Sequence, residues 1–140
     1  MDLSTILAAI KPYVLKWANA EWKPWYPTVT GWGASPPAGG VYRYRLVGKT
    51  CTLAIAQPSV ATSTTTGVSF TLPFTAATIA GMIWVSAFLG EDNGSILTTP
   101  AMGYIASSGT TLIIYKDFST AAWTASGNKV VDGMITYEVA

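Results

Sequence analysis

The stretch Val41-Tyr42-Arg43-Tyr44-Arg45-Leu46-Val47-Gly48-Lys49-Thr50-Cys51-Thr52-Leu53-Ala54-Ile55-Ala56 decides the fold. Tyr42, Tyr44 and Leu46 alternate with Arg43, Arg45 and Val47, the period of two of a half-exposed strand. Gly48-Lys49 reads as a tight turn, and beyond it Cys51, Leu53 and Ile55 share one face of a second strand. Working outward, Val68–Leu72 alternates again and Pro73 ends it. Met82–Leu89 is a nearly continuous apolar run, expected as a central strand, and Glu91-Asp92-Asn93-Gly94 reads as a turn whose Asn-Gly pair favours a hairpin. Met102–Ala106, Thr110–Tyr115 and Met134–Val139 complete about eight expected strands, with turns at Ser107-Ser108-Gly109 and Ser126-Gly127-Asn128. Turn signals at such short spacing predict a mainly β chain, an antiparallel β-sandwich of jelly-roll type.

The N-terminal region has another period. Leu3, Leu7, Ile10, Val14 and Trp17 follow a heptad seam, so a short α-helix is expected, capped by Asp2 or Ser4 and kinked or restarted at Pro12. The seam serves either self-association or packing on the chain's own domain. Between helix and strands lies a hinge, where four of the six tryptophans fall between Trp17 and Trp32. The expected division is residues 1–21 as an oligomerisation or attachment helix and 22–140 as the β domain.

Composition excludes much chemistry. The 140 residues fit one domain, and eight basic against seven acidic residues leave a net charge of +1, with no footprint for nucleic acid. Histidine is absent, which removes the commonest general base and metal ligand. A single cysteine allows no internal disulfide, and its alternation with Leu53 and Ile55 marks it as a small buried hydrophobe. Asp2 stands where a signal peptide would be basic, and no run reaches the ~20 apolar residues of a transmembrane helix, so neither secretion nor membrane insertion is expected. Glu91 and Asp92 are adjacent, which suits neither geometry of paired catalytic carboxylates. No serine lies in a recognisable nucleophile motif. No enzyme activity, cofactor or metal is expected.

Two features point to contact instead. No charge occurs between Lys49 and Glu91, although soluble β proteins normally place charges on open faces and edges. Surface covered by another subunit explains this, so an oligomer is expected. Trp25, Tyr26, Trp32, Tyr104 and Trp123 lie near loops, where aromatic faces can stack on sugars or anchor a protein interface; the alternative is that they fill the junction of helix and strands. Arg43 and Arg45 share a strand face and serve either an ion pair or a ligand.

The ordered set Trp25-Tyr-Pro-Thr-Val-Thr-Gly31, Tyr42-Arg-Tyr-Arg-Leu-Val-Gly-Lys-Thr50, Leu72-Pro73, Asp92-Asn-Gly94 and Trp123-Thr-Ala-Ser-Gly127 resembles a family of tailed-bacteriophage virion proteins. These are the small β-sandwich domains of minor tail proteins and of tail-fibre C-terminal ends. The resemblance implies a homotrimer on the virion, contacting other virion proteins and a host cell-surface glycan, assembled in the host cytoplasm and released by lysis. It carries no catalytic residue. A capsid decoration (cement) protein capping subunit junctions is the alternative virion role, and a cellular carbohydrate-binding module or an esterase-like enzyme the alternative outside virions.

Overall fold

Alternation in the Tyr42–Leu46 stretch becomes strand because its inward residues find a common core. The computed structural model describes residues 2–6, 8–9, 21–59 and 66–140. Ten strands run in chain order: β1 (Lys23–Pro24), β2 (Val29–Thr30), β3 (Val41–Val47), β4 (Thr50–Ala56), β5 (Val68–Thr71), β6 (Ile83–Asp92), β7 (Ser95–Ile96), β8 (Ala101–Ala106), β9 (Thr111–Tyr115) and β10 (Lys129–Glu138). All pairings are antiparallel, in the order β1-β3-β4-β10-β6-β8-β9-β5-β2, with β7 beside β6. The chain is thus mainly β, and its strands form one sheet curled into a half-barrel.

The curl brings distant strands face to face. Tyr42 on β3 and Phe70 on β5 have ring centroids 5.9 Å apart, although β4, β10, β6, β8 and β9 lie between them in the sheet. The segment from β1 to β2 spans the opening. Its first strand pairs with β3 and its second with β5, the two sides of that opening. Between them the Trp25 amide donates to the Tyr42 carbonyl at 2.9 Å, and its indole N–H donates to the Thr71 carbonyl at 3.0 Å. These short terminal strands leave little free edge for another chain to extend.

Inside, Leu53, Ile55, Phe70, Phe88, Ile105, Leu112, Ile114, Val131, Ile135 and Tyr137 form the core. Phe88 needs two glycines beside it: Gly133 faces it on β10, where a Cβ would meet its Cδ1 at 2.6 Å, and Gly103 on β8 gives similarly close clearance. Cys51 is fully buried, as its alternation indicates. Asn93 and Gly94 both adopt positive φ (51° and 76°), as the expected hairpin turn requires.

Two strand limits differ from expectation by more than one residue. The central strand extends to Asp92, because Glu91 and Asp92 pair with both β10 and β7 instead of lying in the turn. The last strand begins at Lys129 instead of Met134. Asp132 and Gly133 hide its early part from an apolar pattern, but a carboxylate that accepts from the Gln57 amide (2.6 Å) and a glycine that admits Phe88 both belong there.

At the N-terminus residues 3–6 and 8–9 are helical. Asp2 caps this turn, its Oδ1 accepting from the Thr5 amide at 2.8 Å and the Ser4 hydroxyl at 2.5 Å. These bonds hold its carboxyl below the usual range. Leu3 and Ile6 are exposed. The other seam positions, Leu7, Ile10, Val14 and Trp17, lie outside the described residues.

Candidate functional site

A groove opens where β1 and β3 meet. Its volume is about 420 Å³, and Trp22, Pro24, Tyr26, Pro36, Val41 and Arg43 contribute to its walls. The strand period sets its chemistry: as Tyr42 and Tyr44 turn inward, Arg43 and Arg45 must turn outward. Their guanidinium carbons lie 5.7 and 5.2 Å from the centroid of the Trp22 ring. Each such cation–π contact contributes about 0.5–1 kcal/mol at an exposed site and leaves the N–H edges of the guanidinium available. The only ion pair among the described residues lies elsewhere, between Lys116 and Asp92. A cross-strand ion pair of Arg43 or Arg45 is therefore absent among the described residues, where both guanidiniums lie beside Trp22.

The groove floor is rigid. Tyr42 is buried, donates its hydroxyl hydrogen to Gln57 Oε1, and has its pKa pushed up to about 12 by burial, so it stays neutral. On the segment above it, Trp25 and Pro27 are buried while Tyr26 between them is 84% exposed. The Thr28 amide is held by Thr71 Oγ1 at 2.9 Å and the Val29 amide by Ser35 Oγ at 2.6 Å.

Of the aromatic residues singled out in the sequence, the structure brings only Tyr26 and Trp25 to this groove. Trp25, Trp32 and Trp123 are buried, and each indole N–H is satisfied by a backbone carbonyl: Thr71, Lys129 and Ile114 respectively. Their reading as open stacking faces is corrected to core packing, because burying these large rings stabilises the curl. Tyr104 is half-buried on the outer face of β8, edge-on to Tyr115. Trp22 was not singled out for binding. The outward phase of Arg43 and Arg45 was its signal, but only the β1–β3 pairing shows which ring they meet.

A second surface covers the outside of the sheet. Ile83, Val85 and Leu89 on β6, Met134 on β10 and Val41 on β3 are exposed apolar side chains. Register joins them into rows: Val85 lies opposite Tyr104, Ala87 opposite Met102, and Met134 opposite Ala54. A continuous apolar strand is the pattern of a sheet buried on both faces. Here the side chains Ile83, Val85 and Leu89 on one face of β6 are exposed among the described residues.

Asp92 and Lys129 stand apart from both surfaces. Asp92 is buried, pairs with Lys116 at 2.8 Å and accepts from the Thr124 hydroxyl at 2.9 Å. Burial alone would raise its pKa, but these partners outweigh that and hold it below the usual range. Lys129 lies opposite it on β10, fully buried and with no hydrogen-bond partner for its Nζ. Glu91 takes the other face of β6 and accepts from the Ser59 hydroxyl at 2.6 Å. The adjacent carboxylates therefore diverge. Among the described residues no group of three or more His, Cys, Asp or Glu side chains is placed to hold a metal ion.

Comparison with known proteins finds no family model and no curated protein that matches this chain.

Proposed function

We propose that the chain is a structural protein of a tailed-phage virion, a trimeric tail-fibre- or tail-tip-like adhesin that contacts the host cell surface. The observation that carries this reading is the uncovered apolar outer face of β6 and β10. Exposed apolar patches of this kind mark surfaces that meet another molecule, and on β6 the patch falls within the stretch between Lys49 and Glu91 that carries no charge. Trimer formation, and a sandwich-like packing of the two halves of the curled sheet, belong to this proposal. So does the virion location, which rests on the strand and turn motifs that resemble tail proteins. The groove with exposed Tyr26 favours the adhesin over a cement protein, since a cement protein needs contact area but no ligand groove.

Sedimentation of the full chain tests the assembly. A trimer that dissociates on Leu89→Lys or Met134→Lys supports it, and a monomeric wild-type chain overturns it. Electron microscopy of particles carrying the labelled chain decides between tail and head.

A further inference from the structure

We propose that the groove between β1 and β3 binds a carboxylate-bearing saccharide, with Tyr26 stacking on the sugar ring and Arg43 in the groove wall, joined by Arg45 beside it on the same strand face, receiving the carboxylate. This deepens the adhesin reading and rests on it for biological context, but the chemistry comes from the groove.

Three observations converge there. First, Tyr26 stands out in solvent on a segment whose neighbours are buried and whose amides are hydrogen-bonded. A ring held rigidly in water contributes little to folding, yet it offers a flat face at small entropic cost on binding. Second, the arginine charges have no acidic partner among the described residues. Arg43 lies between Pro24 and Ala54 across the sheet, and Arg45 lies opposite Thr52, so no register partner is acidic. Neither guanidinium forms an ion pair among the described residues. Both guanidiniums lie beside the Trp22 ring, and their N–H groups offer the fork suited to a carboxylate. Glu21 is the one acidic residue close by in sequence. Third, the volume of about 420 Å³ falls in the range of small-molecule sites, and its walls combine apolar rings and prolines with few polar groups. The excess of positive charge at an aromatic groove selects an anionic ring compound over a neutral one.

The test titrates the full chain with oligogalacturonate, oligosialic acid and hyaluronan oligomers, following Trp fluorescence and calorimetry. Methyl-esterified oligogalacturonate, which keeps the ring and loses the charge, and single-stranded oligothymidylate serve as controls. At least one acidic saccharide is expected to bind about tenfold or more tighter than either control, weakening as salt rises. Arg43→Gln with Arg45→Gln, and separately Tyr26→Ala, are expected to weaken that binding about tenfold with thermal stability retained, since all three residues are exposed. Binding by none of the three saccharides, equal binding of the ester or the oligonucleotide, or unchanged affinity in the arginine variant each overturns the proposal. Whole-cell adsorption separates the two levels. Adsorption that survives in the arginine variant leaves the adhesin standing and removes this site. Saccharide binding without adsorption of the wild-type chain to any cell does the reverse.

Discussion

Phe88 and Leu89 are adjacent on β6, both large and apolar, yet one is 2% exposed and the other 52%. The difference lies in what each face of the sheet meets. The inner face closes on itself because the sheet curls and the segment from β1 to β2 bridges its opening. On the outer face Ile83, Val85, Leu89 and Met134 are exposed among the described residues. Hydrophobicity on the inside therefore stabilises the fold, and hydrophobicity on the outside remains available for association. Charge does not follow the same division: inside, Asp92 is held by Lys116 and Thr124 while Lys129 has no hydrogen-bond partner, and outside, Arg43 and Arg45 pair with no carboxylate among the described residues.

Substitutions can break this comparison, beginning where the effect should be largest. Phe88→Ala should destabilise the chain by about 3–5 kcal/mol in chemical denaturation, because it empties the space that Gly103 and Gly133 reserve for the ring. A loss under about 1 kcal/mol would show that the inner face tolerates collapse there. Gly133→Ala forces a methyl group against the same ring and should cost about 1–3 kcal/mol. If it proves neutral, Phe88 has room that the close contact denies.

Lys129 sharpens the comparison through pH. Burial lowers its pKa, and the charge of Asp92 opposes this without cancelling it. A lysine whose folded pKa is depressed costs stability below that pKa, and the cost fades as pH rises toward the unfolded value of about 10.4. Lys129→Met should therefore be more stable than the parent at pH 7, with the gap shrinking toward pH 10.4. A gap that widens with pH would mean the ammonium is favourably held. The smallest effect on stability belongs to Leu89→Lys, expected within about 0.5 kcal/mol of the parent because the side chain is already in water. Its consequence should appear instead as loss of self-association in sedimentation.

Much of the fold is legible in local pattern. The β3–β4 hairpin, the Asn93-Gly94 turn and the inward set Cys51, Leu53 and Ile55 follow from period-two alternation and turn chemistry, which need no distant partner. The start of β10 was not legible, because Asp132 and Gly133 take their reasons from Gln57 and Phe88 on other strands. The candidate site divides in the same way. The phase of the strand put Arg43 and Arg45 outside, but which aromatic rings remain open was decided by the curl, which took Trp25, Trp32 and Trp123 into the core and left Tyr26 in solvent. A tryptophan near a loop looks the same in sequence whether its ring faces in or out.

By itself, then, the sequence determined the mainly β character, the hairpin turns, the absence of histidine and the charge-free stretch between Lys49 and Glu91, all of which are local or compositional properties. Only the tertiary structure decided that the strands form one sheet, that its inner face seals around Phe88 and Phe70, and that Trp22 sits beneath two arginines. Those outcomes depend on pairings between residues far apart in the chain, and side-chain burial is set by where such pairings bring the backbone.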